Sequence, residues 1–309
     1  MLIDMDALNA LDAAARETET ARSSFWEEEL KDFSFNAEGE MSGLICIGSI
    51  SRKTSRLHNA VNQVLQLPYR LVARKSRNSA ACLRLANLVA ARQERLFTQD
   101  ILRQALSLAA IKDALDTDKL GGANLVIGDG YGVMTSLLKL ANPEAVTITV
   151  NLTTPLLIDL YYARKALPGV KIVLPRSADE MNEALQNTDI GVIAIRADQA
   201  DLIGQASIGL AVNNHSMQEM TNQVIKSYFD ILRANGGETT AFYCCNRVTK
   251  TLYDGEDIIF ADYPWRNDEE VLFDEICWWD KFEYQPRLPF WFRNPNLKRH
   301  RLTILEKVQ

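Results

Sequence analysis

The sequence predicts an α/β fold, a parallel sheet with helices on both faces, preceded by a mostly helical N-terminal region. Three observations carry this expectation. From residue 119 onward, short apolar runs alternate with stretches of helical periodicity. Residues 125–132, Leu-Val-Ile-Gly-Asp-Gly-Tyr-Gly, set three alternating glycines between an apolar run and a helical pattern. That is the composition of a strand turning sharply into a helix against a ligand, with the first helical N–H groups left as donors. Before residue 118, apolar residues recur at spacings of three and four, as helices that bury one side require.

Taken in order, helical spacing covers residues 2–15, 56–67, 80–92 and 99–115. The apolar run 44–50, flanked by Gly43 and interrupted by Gly48, reads as a short strand or a loop. The turn-rich stretch 116–122 divides the chain into a helical region 1–118, a cap or an oligomerisation element, and a ligand-binding domain 119–309. In that domain strands are expected at 125–127, 146–150, 171–174, 191–195 and 239–245, with a further run at 207–212. Helices are expected at 133–140, 156–167, 177–186 and 216–234. Thr153-Thr154-Pro155 supplies an N-cap and a first-turn proline for the second of these. The last 60 residues hold four of the five tryptophans, a cluster that lines a pocket, caps a sheet or simply packs.

At 309 residues, 47% apolar and 24% charged, the chain has the makeup of an ordinary globular protein with a sizeable core. Its 34 basic and 40 acidic residues, net −6, give no electrostatic footprint for nucleic acid. The basic stretch 298–301 is short and is expected on a solvated face. No apolar run approaches the roughly 18 residues of a spanning helix, so no membrane partner is expected. The start, Met-Leu-Ile-Asp-Met-Asp, lacks the basic region of a signal peptide. Five cysteines, with Cys244 and Cys245 adjacent, fit neither a disulfide framework nor a Cys-x-x-Cys metal site. His58, His215 and His300 are too dispersed for a zinc cluster. The expectation is a cytoplasmic protein without a metal, acting on a small molecule.

In open α/β sheets the ligand lies outside the carboxyl ends of the strands. After the first strand come Gly128, Asp129, Gly130, Tyr131 and Gly132. A dinucleotide fingerprint would place a third glycine where Val133 stands, and no Gly-Lys-Ser/Thr follows to make a P-loop. After the second strand comes Asn151, either a ribose-diol ligand or a turn residue. The run 207–212 leads to Asn213-Asn214-His215-Ser216-Met217-Gln218-Glu219, in which Ser216 and Glu219 match a capping box. His215 then stands at the mouth of the sheet, where a near-neutral imidazole takes a proton from a hydroxyl or serves as a structural hydrogen-bonder. Glu219 is a cap, or the base itself. Asn246 and Arg247 end the 239–245 strand and face substrate hydroxyls or a carboxylate, although Arg247 equally suits a structural acid. Tyr263 and Trp265 offer aromatic faces to an acceptor, or pack in the core.

Together, the glycine loop 127–132 with Tyr131, Val150-Asn151-Leu152 leading to 156–162, Ser216-Met217-Gln218-Glu219-Met220, 242–247 and Tyr263-Pro264-Trp265 resemble the sugar O-methyltransferases. These are class I, S-adenosylmethionine-dependent enzymes of polysaccharide and natural-product clusters. The resemblance spans roughly residues 120–295 and is most specific at Ser-Met-Gln-Glu-Met and at Tyr-Cys-Cys-Asn-Arg. It implies a Rossmann-like class I methyltransferase sheet and S-adenosyl-L-methionine as cofactor. Cofactor contacts would come from Gly128, Asp129, Gly130, Tyr131, Gly132, Asn151 and Asn213. The acceptor, a sugar or related hydroxylated metabolite, would lie against the loop after Val212. His215 or Glu219 would carry the proton, Asn246, Arg247, Tyr263 and Trp265 would hold the acceptor, and the protein would be a monomer or a homo-oligomer. Two positions depart from the pattern. The family has an acid where Val126 stands, and its second strand ends in Asp where this chain has Asn151. Loss of both weakens the grip on the cofactor and opens a second reading, a non-catalytic binding or partner subunit. A nicotinamide-dependent oxidoreductase is a third, opposed by the missing glycine at 133.

Overall fold

The computed structural model describes residues 1–15, 34–35, 41–42, 56–284 and 288–306. Nine strands form one sheet: β1 (Leu2–Ile3), β4 (Ala123–Ile127), β5 (Thr147–Asn151), β6 (Lys171–Leu174), β7 (Ile190–Arg196), β8 (Ile208–Asn214), β9 (Thr239–Arg247), β12 (Glu270–Ile276) and β15 (Lys298–Glu306). Three short antiparallel pairs stand apart, β2 (Ser34–Phe35) with β3 (Met41–Ser42), β10 (Thr249–Thr251) with β11 (Asp257–Ile259), and β13 (Phe282–Tyr284) with β14 (Trp291–Arg293). The strand order in the main sheet is β1-β6-β7-β5-β4-β8-β9-β15-β12. Strands β4 to β9 are parallel, whereas β1 and β15 run against their neighbours. From β4 the chain builds β5, β6 and β7 on one side, then returns to β8 on the other. The switch point therefore lies between β4 and β8, where such sheets open a crevice.

Successive strand residues point to opposite faces, and two cores show it. Val126, Val212, Tyr243 and Leu302 enter one core, with the helices Met5–Ala15, Ser79–Arg92, Gln99–Ala114, Val133–Ala141 and Thr153–Ala166. Leu125, Ile127, Ala211 and Phe242 enter the other, with the helices Ala178–Gln186 and Asn222–Ala234. Burial on both faces explains why the central strands read as unbroken apolar runs. The first core also runs across residue 118: the three helices named before it and the two after it share one apolar cluster. The N-terminal region thus covers one face of the sheet and adds β1 to its edge.

Several boundaries differ from expectation, each for a local reason. The helix expected from residue 2 starts at Met5, because Leu2 and Ile3 pair with Leu174 and Val173 in the sheet. The helix expected at 156–167 begins at Thr153, so Pro155 sits inside the first turn, where its missing N–H costs no helical bond. The helix expected at 216–234 is two elements, a 3₁₀ turn Met217–Glu219 and the helix Asn222–Ala234. Thr221 is the actual N-cap and accepts from the Val224 N–H at 3.4 Å. The apolar run 44–50 lies outside the described residues.

The largest difference concerns residues 298–301. They form the start of β15, held between β9 and β12, and are not a solvated basic tail. Alternate residues turn inward, leaving Lys298 and His300 6% and 1% exposed. Lys298 and Arg103 share the buried carboxylate of Asp280, which compensates charges that sequence order keeps far apart. His300 packs between the rings of Phe273 and Trp279, each 4.9 Å away. Burial, opposed only by Asp274, pushes its pKa down to about 4. An imidazole with a lowered folded pKa adds stability above its ordinary value near 6.5 and loses it as pH falls toward 4. Between pH 6.5 and pH 5, wild type is expected to lose about 2 kcal/mol that a His300→Gln variant keeps. Urea unfolding of both proteins across that range checks it, and parallel curves would refute it.

Candidate functional site at the carboxyl ends of β4, β8 and β9

The glycine loop follows β4 at the switch point. All three glycines have positive φ, +69° at Gly128, +91° at Gly130 and +60° at Gly132. Two of them are there for contact with the protein itself. A Cβ on Gly128 would lie 2.3 Å from Ser216 Oγ, and one on Gly132 would lie 2.3 Å from the Asp159 carbonyl oxygen. Gly130 differs, since a Cβ there would meet nothing within 4 Å. Its missing side chain leaves open space at the tip of the loop, which is where a ligand can approach the backbone.

Asp129 answers the first N–H groups of the helix Val133–Ala141. Its Oδ1 accepts from Met134 N–H at 2.9 Å and its Oδ2 from Thr135 N–H at 2.7 Å. The side chain is buried and each oxygen accepts one helical N–H, so Asp129 caps the helix. The expectation of free helical donors is corrected with it. A carboxylate already occupies the place a phosphate would take, and its charge repels another anion.

A second buried carboxylate, unforeseen in the sequence, lies beneath the loop. Asp159, from the helix Thr153–Ala166, accepts from Gly132 N–H at 3.2 Å and from Asn151 Nδ2 at 2.8 Å. Burial, and then the charge of Asp129, raise its pKa well above the usual carboxylate range. Asn151 also accepts from Leu152 N–H at 2.9 Å. Its amide is thus half engaged inside the protein, with one N–H on Nδ2 and one lone pair on Oδ1 remaining. Tyr131 is packed as well, its ring 5.6 Å from Tyr162 with the Arg95 guanidinium over both.

The ends of β4, β8 and β9 are tied by two asparagines. Asn213 Nδ2 donates to Ile127 O at 2.9 Å and to Ser216 Oγ, while its Oδ1 accepts from Met217 N–H at 3.2 Å and Asn246 Nδ2 at 2.8 Å. Two donors and two lone pairs are all an amide has. Asn213 is therefore saturated and holds the scaffold, not a cofactor. Asn246, completely buried, accepts from Gln218 N–H at 3.1 Å and gives its amide to Asn213 and to Cys244 Sγ, so it too serves the scaffold in place of the substrate. Ser216 donates to Ile127 O at 2.8 Å, and the capping box with Glu219 does not form. Glu219 instead pairs with Lys250.

His215 does reach the mouth of the sheet. Its φ of +68° is unusual for a side-chain-bearing residue and is held by its N–H donating to Cys245 O at 2.8 Å. Its Nε2 lies 3.6 Å from Cys245 Sγ. Burial, then the charges of Lys298, Arg103 and Arg247, lower its pKa well below 6.5. The imidazole is neutral at pH 7 and carries a lone pair. Arg247 anchors its backbone N–H on Gln218 Oε1 at 2.9 Å, and its Nε is buried without a partner among the described residues. Asp100, in the first turn of the helix Gln99–Ala114, joins the same electrostatic neighbourhood. Burial raises its pKa against the pull of Arg95, Arg103 and Lys298. The signal for this helix end was available, as Thr98 is its N-cap and accepts from Ile101 N–H at 3.4 Å.

Tyr263 and Trp265 sit elsewhere. They pack with Phe229, Phe242 and Phe260 in the second core, where Trp265 Nε1 donates to Phe260 O at 2.9 Å. This is the packing alternative for Trp265, although the buried Tyr263 hydroxyl has no partner among the described residues. Among the described residues no group of three or more His, Cys, Asp or Glu could hold a metal ion, and no helix is long and apolar enough to cross a membrane.

No family model matches the chain, and no curated protein does either. Among solved structures it is similar to the Thermoplasma acidophilum 1320 protein, at 14% identity over 72% of this chain and 97% of that one, with a TM-score of 0.44. It is also similar to magnesium protoporphyrin IX methyltransferase from Synechocystis with bound SAH, at 9% identity over 66% of this chain and 82% of that one, TM-score 0.41. A third likeness is to the pyocyanin biosynthetic protein PhzM, at 14% identity over 65% and 57%, TM-score 0.33. These are partial likenesses, and the chemistry of the site rests on its own geometry.

Proposed function

We propose that this chain is an S-adenosylmethionine-dependent methyltransferase acting on a hydroxyl of a sugar or related small metabolite. The observation that carries the reading is the division of labour in the glycine loop. Gly130 leaves open space at the switch point, while Asp129 fills the helix N-terminus with negative charge. A cofactor suited to this loop approaches the backbone closely and places no phosphate on the helix. S-adenosylmethionine meets both conditions, and a nicotinamide dinucleotide does not.

When bound, the cofactor would supply an electrophilic methyl group on a sulfonium. Gly128, Gly130 and Gly132 would shape its bed, with Asn151 Oδ1 offering one acceptor to a hydroxyl at the end of β5. His215, neutral and at the mouth of the sheet, would take the acceptor's proton on its lone-pair nitrogen. Arg247 would hold an acceptor oxygen with its unpartnered guanidinium edge. Residues 1–118 would cap the face on which the acceptor enters. Buried thiols at Cys82, Cys244, Cys245 and Cys277 suit a cytoplasmic setting.

The non-catalytic reading is favoured by one observation, that the Asn151 amide is already bonded to Asp159. Thermal shift separates the two. S-adenosylhomocysteine at about 1 mM is expected to raise the melting temperature by several degrees, and NADH at the same concentration to leave it unchanged. No shift with S-adenosylhomocysteine, confirmed by calorimetry, would sink the enzyme reading. A shift with NADH alone would revive the oxidoreductase.

A further inference from the structure

A second cleft of about 440 Å³ opens between the helix Gln99–Ala114, the turn at Lys75 and Ser76, and the sheet edge β12–β15. Its walls include Ser76, Asp113, Phe273, Glu275, Trp278 and His300, with Lys75 at the rim. Ala110, Asp113 and Ala114 place it along the C-terminal end of that helix, whereas Asp100 and Arg103 stand at the other end, Arg103 on Asp280. Ten residues of helix from Arg103 to Asp113 put roughly 15 Å between the two ends.

Two carboxylates, Asp113 and Glu275, outnumber the single cation Lys75 in this cleft. Tyr243 donates its hydroxyl to Ser107 Oγ at 3.1 Å and lies 3.4 Å from His300 Nδ1. In the tautomer that carries Nδ1–H, Tyr243 gives its proton to Ser107 and offers His300 a lone pair. His300 Nε2 is then an acceptor. It is buried, without a hydrogen-bond partner, in a residue 1% exposed. The nearest charged atom is Glu275 Oε1, 3.5 Å away. Two acceptors thus face each other with no proton between them. Ser76 Oγ, also buried and unpartnered, lines the same space. Asp113 contributes charge but has its Oδ1 engaged by Asn78. A buried acceptor without a donor costs free energy that a ligand can recover. The aromatic walls of Phe273 and Trp278 favour a flat body, and a cation on it is attracted to their faces.

We propose that this cleft binds an organic ammonium ion carried on a flat, apolar body. The ammonium would bridge His300 Nε2 and the Glu275 carboxylate from the cleft side, with the body against Trp278. The site is separate from the glycine loop and does not depend on the methyltransferase reading. Tryptamine is the probe, titrated by calorimetry against the full chain at pH 7.5, with 3-(2-hydroxyethyl)indole as the neutral control. Saturable tryptamine binding at least about tenfold tighter than the alcohol is expected. Glu275→Gln, at an exposed site, and Trp278→Ala should each weaken it about tenfold. Trp278 packs against the first core, so the melting curve of Trp278→Ala is recorded beside its affinity. Gly130→Val should leave it unchanged. Equal affinity for amine and alcohol, no effect of Glu275→Gln, or no saturable binding at about 10 mM would each overturn the proposal.

Discussion

Gly130→Val is expected to abolish binding of S-adenosylhomocysteine while leaving the fold in place. The residue's Cβ would project into space that no protein atom within 4 Å shares, so the isopropyl group displaces ligand and not protein. Its φ of +91° adds strain, about 1–2 kcal/mol for a side-chain-bearing residue, which lowers the melting temperature by a few degrees without unfolding the chain. Calorimetry should show affinity lower by more than about 100-fold, the loss of roughly 3 kcal/mol of contact. Gly130→Ala should fall between the two. Binding of Gly130→Val within threefold of wild type, about 0.7 kcal/mol, would move the cofactor away from this loop.

Gly132→Ala is expected to have the opposite profile, a loss of stability before any loss of ligand. The new methyl would sit 2.3 Å from the Asp159 carbonyl oxygen and 3.1 Å from Ala163 Cβ and N. None of these is the free end of a flexible side chain. Relief requires the helix Thr153–Ala166 to move, and that helix has ten buried residues, seven of them in the first core. Strain at φ +60° and overpacking together should cost about 3–5 kcal/mol in urea unfolding. A loss below about 1 kcal/mol would mean that the helix yields easily. The two substitutions, two residues apart, thus separate the ligand side of the loop from its protein side.

The parallel strands were legible because each is covered on both faces, so apolar runs and strands coincide. β15 was not, because Lys298 belongs inside only once Asp280 is beside it. Local sequence shows a basic cluster, and the compensating acid is a tertiary fact. The glycine loop was legible for its conformations but not for its electrostatics. Asp129 reads as a polar loop residue until its oxygens are seen on Met134 and Thr135. Asp159 lies within a helix, and only the approach of Gly132 and Asn151 explains a carboxylate there. Asn213 and Asn246 illustrate the converse error. Strand-end asparagines look like ligand contacts, and here they bond to each other across β8 and β9. His215 kept its position because the turn after β8 is short, and its backbone bond to Cys245 fixes it there.

The placement of β15 bears on the order in which the chain can fold. β12 precedes β15 in sequence but lies outside it in the sheet, touching β9 only through it. β12 therefore joins the sheet only through β15, whether it pairs with that strand before or after β15 meets β9. Until that closure, the backbone of Phe242, Tyr243, Cys244 and Cys245 stands as an open, apolar sheet edge, the kind that pairs with other chains. The strand that brings Lys298 and His300 indoors is thus also the one that seals the molecule against its own kind.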